Sequence, residues 1–537
     1  MITNHCLSFV IMNAKTFIIT LVSIVVFGSI IRFVALDQYP PQLNRDEAAL
    51  ALNARLIAQT GFDEWHHHLP LQFQSFGDYK LPGYIYLLSG LFLIHTSDVV
   101  VRLPSALAGM GIVITLLFWA QNVLKFPLSR ASKIVLLLSI SLSPFAMFYS
   151  RMAWEANLSL FLMLSALTLL HSQKPTLHKD LLALLIYFAA ILTYNSAYIL
   201  LPFIAFSVVL SRGINKYRFW LLPLASFLVI FTISSLILMS NNSQKSGILI
   251  FSDGAILDTY PKYRQSFPNV LRPVVGNKYV YFSQIAATHY LQTFSPYFLI
   301  THGGQHPWHS ILGKGHIFYS TYVLFLIGVM TQLSKAIYFL KMRHKWKKLS
   351  TRSIIPFFLL IVSPLPSIFT TDAPHATRSL FTFIMIIVFS AIGGQHLLST
   401  AAKHSFQLRK AVITILLGLL IFEGANYLNS YFIVWPHQFS PDFQLGLKQK
   451  ITDEVLQPRD GNIGILDTGE YVYASVAWYA RLQPQLFFDT IERSGPSVAG
   501  LYTVTRVGKY YFIPDKNIAV PYGSEVLTPT KSGWEWQ

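Results

Sequence analysis

Leu81-Pro-Gly-Tyr-Ile-Tyr-Leu-Leu-Ser-Gly-Leu-Phe-Leu-Ile-His95 is apolar almost throughout, yet it is only about fifteen residues long and begins with Pro82 and Gly83. A helical bilayer crossing takes about twenty residues. Reading this stretch decides the topology, because a crossing here would move every later link to the opposite side. Longer apolar runs lie near 16–36, 101–119, 133–150, 153–171, 181–195, 197–211, 219–240, 316–339, 353–370, 379–398 and 411–430. Several links between them are basic: Lys125, Arg130 and Lys133; Lys174 and Lys179; Arg212, Lys216 and Arg218; Lys341, Arg343, Lys345, Lys347, Lys348 and Arg352; Lys403, Arg409 and Lys410. Against all of these stands one acid, Asp180. Basic links belong in the cytoplasm, and they all stay there only if Leu81–His95 rests at the interface.

The expected fold is therefore an all-α polytopic membrane protein with about eleven transmembrane helices and a cytoplasmic N-terminus. Residues 1–430 form the transmembrane domain, with outer loops 37–100 and 241–315. The run 181–211 divides into two short spans at a hairpin near Tyr194–Ser196. Residues 431–537 turn polar and hold strand-like runs at Ile463–Leu466, Tyr471–Trp478 and Tyr510–Ile513. They read as a small extracytoplasmic α/β domain.

Composition agrees. The chain has 537 residues, 53% of them hydrophobic and 12% charged. A soluble protein carries about twice that charge, so an ordinary soluble enzyme is excluded. The net charge of +17 follows from the basic links and does not indicate nucleic acid. Cys6 is the only cysteine, which rules out an internal disulfide. The run Thr16–Ile31 after Lys15 lacks a small-residue cleavage site and reads as an uncleaved first helix. No internal repeat, Gly-rich nucleotide loop, nucleophile elbow or zinc signature appears.

The polar chemistry gathers outside. The first outer loop holds Asp37, Asp46, Glu47, Asp63, Glu64, Asp78 and Asp98. Asn44 reads as an N-cap, and Glu47 three residues on completes a capping-box pattern. The Ala/Leu/Ile run through Ile57 then reads as a helix lying on the membrane. Its dipole favours ionised Asp46 and Glu47 in the first turn. Capping alone would account for both acids. Lys80 stands beside Asp78 where the chain re-enters the interface, and could hold a lipid phosphate or merely snorkel. Arg102 reads as a snorkelling arginine. Arg151 and Glu155 sit four apart in apolar sequence and suit a helical ion pair. The 241–315 loop is basic and ends in His306 and His309, which could bind metal or hydrogen-bond a sugar. The turn Asp372-Ala-Pro-His375-Ala-Thr-Arg378 adds another His/Arg pair. The three histidines His66–His68 are adjacent and would not converge on one metal.

Taken in order, Asn44-Arg-Asp46-Glu47-Ala, Asp78-Tyr-Lys80-Leu-Pro82, Val101-Arg102-Leu-Pro104-Ser, Ser143-Pro…Ser150-Arg151…Glu155 and His375…Arg378 resemble the GT-C class of membrane glycosyltransferases. The likeness is to bacterial members of the protein O-mannosyltransferase and aminoarabinose lipid A transferase superfamily, glycosyltransferase family 39-like. It covers the layout of residues 1–430 and is densest over 37–160. It implies a polyprenyl-phosphate-linked sugar donor, membrane lipids and a cell-envelope acceptor, meeting at the outer face of the plasma membrane. It also implies an inverting hexosyl or pentosyl transfer. Asp46 would act at the acceptor hydroxyl, with Glu47 in support. Lys80 matches the family's Lys-Pro phosphate contact, although Leu81 separates it from Pro82. Arg378 and Arg151 would join it at the phosphate. Asp78, Glu155, His306, His309 and His375 would line the pocket. A divalent cation could assist, but no spacing demands one and no metal ligands are assigned. A lipid-linked glycan flippase, or an oligosaccharide polymerase or ligase, is the alternative. A flippase would need charge inside the spans and usually a repeat. A polymerase or ligase would use outer arginines and histidine without the acidic first loop.

Overall fold

The computed structural model describes residues 13–536 apart from 125–127, 213–220, 240–248, 305, 307, 342–353, 438–442, 470, 497–501, 515–524 and 531–532. The basic links at Lys125, Lys216, Arg218 and 343–352 lie outside the described residues.

Helix α1 (Ala14–Phe33) leads to the 37–100 loop, which holds α2 (Arg45–Thr60), a hairpin of β1 (Phe73–Ser75) and β2 (Asp78–Lys80), and α3 (Pro82–Phe92). The membrane part continues with α4 (Asp98–Val123), α5 (Arg130–Leu142), α6 (Pro144–Ser150), α7 (Glu155–Leu170), α8 (Leu177–Thr193), α9 (Asn195–Arg212) and α10 (Leu221–Met239). The 241–315 loop carries α11 (Gly254–Gln265) and α12 (Lys278–Thr293). Then come α13 (Tyr319–Lys341), α14 (Ile355–Val362), α15 (Leu365–Ile368), α16 (Leu380–His404) and α17 (Phe406–Asn429).

Six described stretches are long and apolar enough to cross a membrane: α1, α4, α9, Tyr319–Tyr338, Thr377–His404 and Phe406–Val434. The pair α5–α6, bent by 48°, makes a seventh if it is one span. The chain is a multi-pass membrane protein. The gap between this number and eleven apolar runs has a physical origin. Glu155–Leu170, Pro223–Leu236 and Ile355–Ile368 are apolar but short, and α8 has 17 residues. The expected break in 181–211 falls at Tyr194, between α8 and α9. Helices α13 and α16 meet backbone to backbone. A Cβ on Gly393 would stand 1.9 Å from the Leu324 carbonyl oxygen, and one on Gly328 2.0 Å from that of Phe389.

α3 has 11 residues, about half a crossing. It tucks under the end of α8, where a Cβ on Gly83 would clash with Thr193. α2 does not lie on the membrane as expected. Every residue from Glu47 to Ile57 is buried, because α3 packs on one side and the C-terminal segment on another.

That segment holds α18 (Leu447–Leu456), β3 (Ile463–Leu466), α19 (Val472–Tyr479), α20 (Pro484–Thr490), β4 (Glu492–Pro496), β5 (Tyr502–Val507), β6 (Tyr510–Ile513), β7 (Glu525–Thr530) and β8 (Gly533–Trp536). The strands form one mixed sheet in the order β4-β5-β6-β3-β7-β8, with β3 parallel to both neighbours. Tyr471–Trp478, expected as a strand, is helix α19. Its residues are buried on all sides, so no apolar period distinguishes helix from strand. The Asp467 carboxylate accepts the N–H groups of Tyr471 and Val472 and starts the helix. The segment shares one apolar core with the 37–100 loop. Polar contacts reinforce it: Tyr473 donates to Glu64 (2.5 Å), Trp478 to Asp98 (2.8 Å) and the Leu43 N–H to Tyr479 (2.8 Å).

Candidate active site

The site starts from the N-terminus of α2. The Asn44 side chain accepts the Glu47 N–H at 2.9 Å, and Glu47 accepts the Asn44 N–H at 3.0 Å, so the expected capping box is formed. Glu47 then turns inward. Its carboxylate accepts from Arg102 at 2.9 and 3.1 Å and from the Ala153 N–H at 2.7 Å. Arg102 does not snorkel; it is fully buried and also donates to the carbonyls of Leu36, Pro40 and Gln42. Arg151 donates to the carbonyls of Ile31, Ala35 and Tyr39 rather than pairing with Glu155. These arginines hold the irregular chain between α1 and α2, whose carbonyls need donors where water is excluded. The structure thus puts Glu47 and Arg151 in the scaffold, outside the lining of the cavity.

Asp46, next in the turn, faces that cavity. It is about 260 Å³ in volume and is lined by Asp46, Asp78, Lys80, Glu155, His306, His309, His375 and Arg378 among the residues singled out from sequence. Arg45, Trp154, Tyr194, Trp308 and Asp372 also line it. Six separate stretches of the chain therefore converge. The β1–β2 hairpin delivers Lys80. It turns at Phe76 and Gly77, both at positive φ (56° and 88°), which suits a two-residue hairpin turn. Lys80 Nζ lies 2.8 Å from Asp46 Oδ1. Burial opposes both charges, but Lys80 and Arg45 outweigh it and draw the Asp46 carboxyl below its ordinary value. Burial likewise opposes the Lys80 ammonium, and Asp46 and Glu155 outweigh it and hold the proton on.

Across the cavity, Asp372 binds Arg378 at 2.6 Å through one oxygen. Its other oxygen lies 3.4 Å from His375 Nε2 and 3.7 Å from His306 Nε2. The ligand atoms of His306, Asp372 and His375 all lie within 4.8 Å of one another, close enough to share one cation. Burial, then Arg378, lowers His375 to about 3, so its imidazole is neutral. Its Nδ1 meets Thr377 Oγ1 at 2.8 Å, which Tyr194 also contacts at 2.9 Å. This leaves Nε2 aimed at Asp372. His309 is driven well below its ordinary value by burial and by His375. Its ring stands 4.6 Å from that of His375 and its buried Nδ1 has no partner among the described residues. Asp372, Arg45 and Tyr194 stood inside quoted sequence stretches but were not chosen as site residues. A lone Asp next to Ala-Pro, or a Tyr at a span end, carries no periodic signal.

No protein-family model matches the sequence, and no curated protein matches it. Among solved structures, the oligosaccharyltransferase of Archaeoglobus fulgidus tethered with an acceptor peptide superposes with a TM-score of 0.50 at 13% identity. The match covers 87% of this chain and 63% of that one. The fold is that of the GT-C class of membrane glycosyltransferases. ArnT from Cupriavidus metallidurans in the apo state matches with a TM-score of 0.49 at 12% identity, over 87% of this chain and 85% of that one. The present chain thus spans under two thirds of the archaeal enzyme.

Proposed function

We propose that the chain is a membrane glycosyltransferase. It moves a sugar from a polyprenyl-phosphate-linked donor to a hydroxyl of a cell-envelope acceptor, at the outer face of the plasma membrane. The reading keeps an eleven-span topology with the N-terminus in the cytoplasm. The observation that carries it is the Asp46–Lys80 pair, 2.8 Å apart, on the wall of a cavity whose other wall is the Asp372–His375–Arg378 cluster. Glycosyl transfer from a phosphate needs an oriented hydroxyl and positive charge for the leaving group.

In this reading the acceptor oxygen attacks the anomeric carbon. The carbon–oxygen bond to phosphate breaks, and the electron pair leaves with the phosphate. Asp46 accepts a hydrogen bond from the attacking hydroxyl. Held below its ordinary value, it is a weak base. Its share is therefore chiefly orientation, and the proton passes onward to the more basic leaving phosphate. One attack from the opposite face inverts the centre. Lys80 and Arg378 supply countercharge. His306, Asp372 and His375 fit a divalent cation, since the imidazole of His375 is neutral and the carboxylate is ionised. Such a cation would supply Lewis-acid stabilisation of the phosphate.

The test is sugar transfer in membranes carrying the wild type or Asp46→Asn, each given labelled polyprenyl-phosphate sugars. Wild type should consume one donor, and Asp46→Asn should lose about a hundredfold or more while melting normally. Normal transfer by Asp46→Asn, or no donor consumed by wild type, would sink the reading.

A further inference from the structure

Three cationic side chains line the cavity among the described residues, and they differ in what they already hold. Lys80 is paired with Asp46 at 2.8 Å, and Arg378 with Asp372 at 2.6 Å. Arg45 meets no hydrogen-bond acceptor among the described residues, and its Nε is buried without a partner. It is nevertheless held firmly. Its guanidinium packs 4.7 Å from the centroid of Trp308 and 5.3 Å from that of Tyr471. Trp308 belongs to the 241–315 loop and Tyr471 to the C-terminal segment, so three parts of the chain combine to fix one cation. Stacking on rings restrains the guanidinium and leaves its N–H fork without an acceptor. A half-buried cation with unspent donors is costly unless an anion arrives to use them. An arginine fork matches a phosphate in a way that a lysine does not.

We propose that Arg45 is the oxyanion subsite of the cavity. It receives a phosphate-ester oxygen, either from the polyprenyl phosphate or from a phosphorylated acceptor. This deepens the glycosyltransferase reading and rests on it. Lys80 and Arg378, each already paired with a carboxylate, then supply countercharge to the phosphate without giving up those pairs, and Arg45 makes the direct contact. The stacked rings make the subsite depend on the C-terminal segment, which gives that segment a part in substrate binding.

The test is binding to detergent-solubilised protein, followed by native mass spectrometry. Two matched ligand pairs are used: undecaprenyl phosphate against undecaprenol, and phosphorylated against dephosphorylated lipid A. Wild type should prefer the phosphorylated member of at least one pair. Arg45→Gln should lose about tenfold or more of that preference, the worth of one charge-assisted contact. Arg45→Lys should keep the charge but lose the fork, with a smaller drop, and serves if Arg45→Gln does not fold. Loss in the first pair assigns the donor phosphate, and loss in the second the acceptor. If both variants keep the full preference of wild type, Arg45 is not the subsite and the transferase reading stands. If wild type itself shows no preference in either pair, the subsite falls and polyprenyl-phosphate recognition falls with it.

Discussion

Replacing Arg102 by methionine tests how the site is held. The guanidinium is fully buried and donates to Glu47 Oε1 and Oε2 at 2.9 and 3.1 Å. It also donates to Leu36 (2.8 Å), Pro40 (2.7 Å) and Gln42 (2.7 Å). Methionine fills much of the same length but donates nothing. Glu47, 1% exposed, would keep only the N–H groups of Asn44 and Ala153. Removing one partner of a buried pair costs about 3–5 kcal/mol. Three carbonyls losing donors push the expected value toward about 5 kcal/mol. Glu47→Gln made in the Arg102→Met background neutralises the stranded carboxylate, and should recover on the order of 2 kcal/mol as a coupling energy. Unfolding of the solubilised protein, followed by near-UV circular dichroism, measures both. Because Glu47 and Asp46 share the first turn of α2, sugar transfer should fall in Arg102→Met and partly return in the double variant. A single variant within 1 kcal/mol of wild type, or a double variant no better than the single, refutes the claim that this pair anchors the turn.

Three other outcomes are expected. Gly393→Ala forces a methyl against the Leu324 carbonyl oxygen, 1.9 Å away. The helices α13 and α16 must part, at about 1–3 kcal/mol, so the melting temperature should drop; an unchanged melt would count against the backbone contact. Glu64 is buried, and burial raises its carboxyl above the ordinary 4.5 although Arg493, Ser75, Tyr473 and Asn53 oppose it. Its stabilising share is therefore complete below 4.5 and is lost as pH rises through the folded value. Glu64→Gln should melt higher than wild type at alkaline pH and no higher at pH about 4; a pH-independent difference would contradict this. If His306, Asp372 and His375 hold a cation, chelation should lower transfer by wild type, and divalent ions should restore it. His375→Ala should bind manganese about tenfold or more weakly, read by electron paramagnetic resonance; unchanged binding would remove His375 from the set.

Much of the fold was legible because it rests on coarse signals. Apolar run length and basic links mark the membrane part, and Pro82-Gly83 with a short run marks α3 as an incomplete crossing. The capping box at Asn44 and Glu47 was readable because it is local. What failed depends on packing between distant parts. α19 is buried against α2 and the sheet, so its residues are apolar without a period. α2 resembles a surface helix until α19 covers it. Arg102 sits in the first turns of a span, where a snorkelling arginine would also sit. Only its five acceptors, from Leu36, Pro40, Gln42 and Glu47, distinguish a buried anchor.

The candidate site divides along the same line. Asp46 and Glu47 are adjacent acids in one helical turn, and sequence treats them alike. A step of one residue rotates the side chain by about 100°, and this sends Glu47 to Arg102 and Asp46 to Lys80. One carboxylate becomes scaffold, and the other faces the cavity. The same logic separates the arginines. Arg102 and Arg151 spend their donors on carbonyls of the 31–42 chain, whereas Arg45 spends none on any described residue. Charge type could not make this distinction, because all three side chains are arginines. What makes it is the supply of acceptors. The 31–42 chain leaves regular helix inside an apolar surround and must be given donors. The wall at Trp308 and Tyr471 offers rings instead. An arginine given rings in place of acceptors is restrained with its donors unspent, and that is the condition in which it can serve a substrate.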